Sequence, residues 1–103
     1  MQREFGPTVY LLTSQRNGTL YCGVTSDLLT RMAQHRAGAF SGFTQQYGVN
    51  RLVWCENHES MEAAIQREKR TKKWRRAWKL ELIEAENPQW LDLADTLGFD
   101  RLT

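Results

Sequence analysis

Two phenols, a guanidinium, an imidazole and a carboxylate stand at spacings that can bring them together. Tyr10 and Tyr21 are eleven residues apart, Arg31 follows Tyr21 by ten, His35 follows Arg31 by one helical turn, and Glu68 interrupts a later apolar stripe. A guanidinium grips phosphate oxygens in a fork and offsets negative charge developing on them. Carboxylate oxygens suit hard cations such as Mg²⁺ or Mn²⁺. Each residue also has a plainer use: a strand tyrosine with its hydroxyl satisfied in the core, a helix histidine half-buried and hydrogen-bonded, a carboxylate in a salt bridge. What favours chemistry is the combination.

Glu68 is the most telling position. Met61, Ala64 and Ile65 form an apolar stripe at i, i+3 and i+4, and Glu68 occupies i+7, where another apolar residue belongs. A carboxylate turned toward the core side needs a cation, a donor or water. Two readings fit: a salt bridge to a basic neighbour, or a metal ligand whose single ion is completed by waters and a substrate phosphate oxygen. Arg31 and His35 project from one side of their helix, with His35 also continuing a stripe through Leu28 and Met32. If the two tyrosines lie across a hairpin, their phenols approach one point. A phenol's ordinary pKa of about 10 makes it a poor proton acceptor for an attacking water unless a metal or cation lies beside it.

The elements that must position these groups follow from periodicity. Residues 8–13 (TVYLLT) and 19–24 (TLYCGV) are β-branched and aromatic, with Asn17-Gly18 between them suited to a turn with positive φ. Alternation along the second strand puts Tyr21 and Gly23 on one face and Leu20, Cys22 and Val24 on the other. Thr25-Ser26-Asp27 supplies N-cap chemistry for a helix over 27–36, closed by Gly38. Residues 38–50 read as a surface loop, 51–56 (RLVWCE) as a third strand, 60–73 and about 75–85 as helices, and Asn87-Pro88 as a break. The tail over 90–99 reads as one more short helix. The order β-β-α-β-α-α predicts an α+β fold: a small, mainly antiparallel three-stranded sheet flanked by helices.

At 103 residues and 41% hydrophobic content, the chain suits one domain with a single core, about 8–87, and a tail over 88–103. No apolar run approaches a membrane span and no export signal is visible, so a cytoplasmic location is expected. Cys22 and Cys55 lack metal-ligand spacing and read as buried free thiols.

The net charge is +2, but residues 67–79 hold eight basic side chains against Glu68 alone, and residues 80–103 hold six acids against Arg101. Such a block suits a polyanion. Arg67, Lys69, Arg70, Lys72, Lys73, Arg75 and Arg76 are the candidate nucleic-acid contacts, with Lys79 beyond them. Trp74, Trp78 and Leu82, spaced i, i+4, i+8, are expected to pack into the core beneath them.

Thr8-Val9-Tyr10 and Tyr21-Cys22-Gly23, in that order and followed by Arg31, His35 and Glu68, resemble the signature of the GIY-YIG endonuclease superfamily over about 8–87. Thr8 and Val9 depart from Gly-Ile and Cys22 replaces an Ile, while both tyrosines are kept. The resemblance implies a GIY-YIG-like sandwich and a metal-dependent endonuclease that hydrolyses phosphodiester bonds in nucleic acid, with DNA the expected partner. By the same resemblance Glu68 holds one Mg²⁺ or Mn²⁺, and Tyr21 deprotonates or orients water with help from Tyr10. Arg31 stabilises the phosphorane, His35 assists, Gly23 keeps an approach clear, and Asn87 braces the site. A nucleic-acid-binding module without catalysis is the main alternative, and a protein-interaction domain is a third.

Overall fold

A computed structural model describes residues 6–37 and 48–94. The elements run β1 (Thr8–Thr13), β2 (Leu20–Thr25), α1 (Leu28–Arg36), β3 (Arg51–Asn57), α2 (Met61–Lys72) and α3 (Arg76–Glu86). The three strands form one antiparallel sheet in the order β2-β1-β3. The α+β sandwich expected from the sequence is the fold observed. Most of the 38–50 loop, the Gly38 helix stop and the greater part of the 90–99 helix lie outside the described residues. Within them, only Leu93 and Ala94 enter a 3₁₀ turn.

β1 is buried at all six positions because it is the central strand, with helices on both faces. Val9 and Leu11 join Cys22, Val53, Ala64, Ile83 and Trp90 on the face covered by α2 and α3. Tyr10 and Leu12 join Leu28, Met32 and Leu52 on the face covered by α1. The β1–β3 register passes from Leu11↔Trp54 to Leu12↔Leu52, a bulge that leaves Val53 as the extra residue. Val53 and Trp54 therefore both enter the α2/α3 layer.

The turns and caps follow local chemistry. Asn17 takes the left-handed conformation at φ 59, where a short polar side chain is tolerated. Asp27 caps α1 by accepting from the Thr30 N–H at 3.2 Å, and Ser60 caps α2 by accepting from the Ala63 N–H at 3.1 Å. Thr25 exchanges bonds with the Asp27 backbone, the capping use its sequence position indicates.

One ion pair stitches the α1 layer to the chain beyond α3. Arg36 donates to Asp92 at 2.6 Å, and the second Asp92 oxygen accepts from the backbone N–H of Leu52 and of Ala94.

Candidate active site

The hairpin register sets Tyr10 directly opposite Gly23. A Cβ on Gly23 would collide with the Tyr10 hydroxyl and its ring carbons. Gly23 is thus the position over which the Tyr10 ring lies; the approach it leaves clear is taken by Tyr10 itself. Gly23→Ala is expected to cost about 1–3 kcal/mol through overpacking. Urea denaturation of Gly23→Ala in wild-type and Tyr10→Leu backgrounds checks this, since the penalty shrinks when the ring is removed.

Tyr10, Tyr21 and His35 form a three-ring cluster. Their centroids are 6.3 Å apart for the tyrosine pair, 5.9 Å for Tyr10–His35 and 5.8 Å for Tyr21–His35. The Tyr10 hydroxyl and His35 Nε2 are 3.2 Å apart. Arg31 hydrogen-bonds the same hydroxyl. A guanidinium only donates, so the Tyr10 oxygen accepts from Arg31. Tyr10 is fully buried. Burial, with the Tyr21 phenol adding to it, pushes its pKa up to about 12 against the opposing pull of Arg31. Tyr10 is therefore a protonated donor at neutral pH. Tyr21 lies on the edge strand and is only half-buried.

His35 is held neutral. Burial and then the positive charge of Arg31 bring its pKa down from 6.5 to about 4. Between those values the unfolded chain binds a proton that the folded chain refuses. Folding stability contributed by this group is thus complete above pH 6.5 and is lost as pH falls through 4. The loss is expected to reach at most about 3 kcal/mol. Urea unfolding of wild type and His35→Gln at pH 7, 5.5 and 4 should show it as a pH-dependent difference between the two.

Glu68 is placed by α2 on the other face of the sheet, beside Cys22, whose thiol pKa is raised to about 11 by burial and then by the Glu68 charge. Its carboxylate accepts from Lys72 Nζ at 2.6 Å, so the salt-bridge reading is realised. Lys72 itself is pushed up first by this bond, and Tyr21 and Cys22 contribute to the shift. The Glu68–Lys72 pair thus lies beside β2 on the face opposite the three-ring cluster. Lys72 was legible only as part of a basic block, although its i, i+4 spacing from Glu68 is the signal that identifies the pair. Along α2 the inward line is Ala64, Glu68 and Thr71, so Ala64 and Glu68 face inward as expected, while Ile65 is exposed.

The basic block divides by partner. Arg67 donates to Glu56 at 3.0 Å, and Arg76 donates to the carbonyls of Asn17 and Gly18 at 2.7 and 2.8 Å, tying α3 to the hairpin turn. These two are structural cations. Lys69, Arg70 and Lys73 are exposed to solvent. Trp74 and Trp78 correct an expectation. α3 turns Ile83 into the core, so Trp78 is 44% exposed and Trp74 half-buried. Asn87 caps α3 and binds the Val53 carbonyl and both backbone groups of Leu91. It braces β3, the edge strand far from Tyr21.

Among the described residues there is no group of three His, Cys, Asp or Glu side chains able to hold a metal. No helix among them is long and apolar enough to cross a membrane. The profile of the GIY-YIG catalytic domain matches residues 6–81. A UPF0213 protein of Vibrio parahaemolyticus is 34% identical over 75% of this chain and 72% of its own length. One from Natronomonas pharaonis is 38% identical over 76% and 91%. The solution NMR structure of a UPF0213 protein from Bacillus halodurans superposes with a TM-score of 0.54 at 27% identity, covering 86% of this chain and 94% of that one.

Proposed function

Because the chain belongs to the GIY-YIG family, we propose that it is a divalent-metal-dependent endonuclease that hydrolyses phosphodiester bonds in DNA. The observation that carries this reading is the convergence of Tyr10, Tyr21, His35 and Arg31 on one side of β2 with the Glu68–Lys72 pair at its other side.

The donor set at Glu68 fits one loosely held hard cation. A single carboxylate is present, and its partner Lys72 has a half-exposed side chain free to swing away. Water and phosphate oxygens would complete the shell. Glu68 would hold the Mg²⁺ or Mn²⁺, which would supply Lewis-acid charge for phosphoryl chemistry when bound. Tyr21 is the phenol placed to take a proton from, or orient, the attacking water at its Oη. Tyr10, with its pKa pushed up to about 12, stays protonated and so is not the base; its hydroxyl pairs with His35 and anchors Arg31. The Arg31 guanidinium stabilises the charge on the pentavalent phosphate. His35, neutral, pairs with the Tyr10 hydroxyl at 3.2 Å and so fixes its position. A cytoplasmic location belongs to the same proposal.

The test is nicking of supercoiled plasmid in Mg²⁺, Mn²⁺ and EDTA. Nicking with metal and none in EDTA is expected. Salt-sensitive binding without nicking under any condition would favour the binding-module reading instead. Lys69, Arg70, Lys73, Arg75 and Lys79 provide about five phosphate contacts. The affinity for duplex DNA should therefore fall with log salt at a slope between about −4 and −5. Replacing Lys69, Arg70 and Lys73 together by Ala should reduce the slope to about −2 in the same titration.

A further inference from the structure

Trp78 exposes 44% of its surface, and it does not stand alone. Trp74 meets it edge-on, with centroids 6.0 Å apart and planes at 86°. The Arg75 guanidinium lies 4.6 Å from the Trp78 centroid. Behind them, the Arg67 guanidinium lies 5.2 Å from Trp74 and 5.7 Å from Trp54. Trp54 is 1% exposed, and Arg67 is further pinned by Glu56 at 3.0 Å. A continuous ladder of three indoles and two guanidiniums, Trp54, Arg67, Trp74, Trp78 and Arg75, thus runs from the core to the surface. Its inner rungs are fixed, and its outer indole carries Arg75 over its ring while keeping 44% of its surface open to solvent. Beside it, Leu82, Ala85 and Glu81 continue an open groove of about 530 Å³.

We propose that this ladder is a stacking platform for an unpaired base of single-stranded nucleic acid, which would direct the chain to single-stranded or locally unpaired segments. The inference rests on the reading that the chain binds nucleic acid, and it adds the structural class of the substrate. Three physical points support it. An indole face stacks on any base, because every base has a π-face, and a neighbouring arginine strengthens the stack. The surrounding chain is strongly cationic, eight basic residues to one acid over 67–79, so phosphates flanking the stacked base find partners. Bases inside a continuous duplex already stack on each other and have no free face to offer, so the platform discriminates by structure and not by sequence.

The experiment is fluorescence anisotropy at low salt in EDTA, where cleavage is off. The ligands are labelled oligothymidylate, an abasic oligomer of equal length, and a duplex. Wild type is expected to bind oligothymidylate about tenfold or more tighter than the abasic oligomer, with tryptophan emission quenched only by the former. Trp78→Ala should bring the two affinities within about twofold, and Trp78→Phe should keep part of the preference. Equal wild-type affinities, or a preference that survives Trp78→Ala, would overturn the platform. The wild-type comparison stands even where a variant fails to fold. Absence of binding to all three ligands overturns it too, and plasmid nicking run alongside separates the causes. Nicking that persists leaves the nuclease reading intact, whereas its absence removes both. Base-dependent binding without nicking keeps the platform and removes catalysis.

Discussion

Glu68→Gln is expected to lower metal-dependent nicking by at least about a hundredfold, the scale of losing one preorganised charge-stabilising group, while the protein stays folded. Gln keeps the shape of the side chain and an oxygen for the Lys72 ammonium at the same position. It removes the negative charge that a divalent cation requires. Stability should change by less than about 1 kcal/mol, because the Lys72 side of the pair is half-exposed and such pairs contribute little. Parallel measurement of nicking rate and thermal unfolding separates the two effects. A variant that nicks at the wild-type rate would place the activity elsewhere. Tyr21→Phe is the companion: it deletes a single oxygen from a ring whose packing against His35 at 5.8 Å is kept. If both variants are inactive and folded, the two sides of β2 act together.

Asp92→Ala should produce the largest loss of stability, about 3–5 kcal/mol. The carboxylate takes the Arg36 guanidinium at 2.6 Å and the backbone N–H groups of Leu52 and Ala94 at 3.3 and 3.1 Å. Both side chains of the pair are well shielded, with 14% and 7% of their surface exposed. Removing Asp92 leaves a shielded cation and the start of β3 without their acceptor, and an uncompensated buried charge costs more than the pair contributes when present. Urea unfolding measures the loss. The double change Arg36→Met with Asp92→Leu should recover much of it, because packed apolar side chains remove the charge along with its partner. If Asp92→Ala is neutral, the segment after α3 does not hold the sheet.

Local chemistry made much of this site legible. The two tyrosines, Gly23, Arg31 and His35 could be placed because a strand alternates every two residues and a helix returns every turn. Those periods are properties of short stretches, and short stretches can be read in isolation. Glu68 was legible for the same reason, as a charge where the stripe called for an apolar residue. A salt bridge to a basic neighbour was one of its two readings, and Lys72, four residues on, is that neighbour.

Other features depend on which surfaces meet. That β1 is the central strand comes from its pairing with β3, about forty residues away, and strand order is a non-local choice. Trp74 and Trp78 have the spacing of a core stripe, yet α3 settles with Ile83 inward, since the bulge at Val53 brings Trp54 and Val53 into the same layer and fills it. The basic block reads as one surface along the chain, but Arg67 and Arg76 find acceptors on β3 and on the hairpin turn. Asp92 carried no sequence signal, because its partners lie 56 and 40 residues away. The amino-acid sequence by itself determined the elements, their caps and the chemical groups on each face. Tertiary packing decided which of those groups meet, which cations are left for a polyanion, and which tryptophan faces water, because those outcomes follow from the competition of distant surfaces for the same contacts.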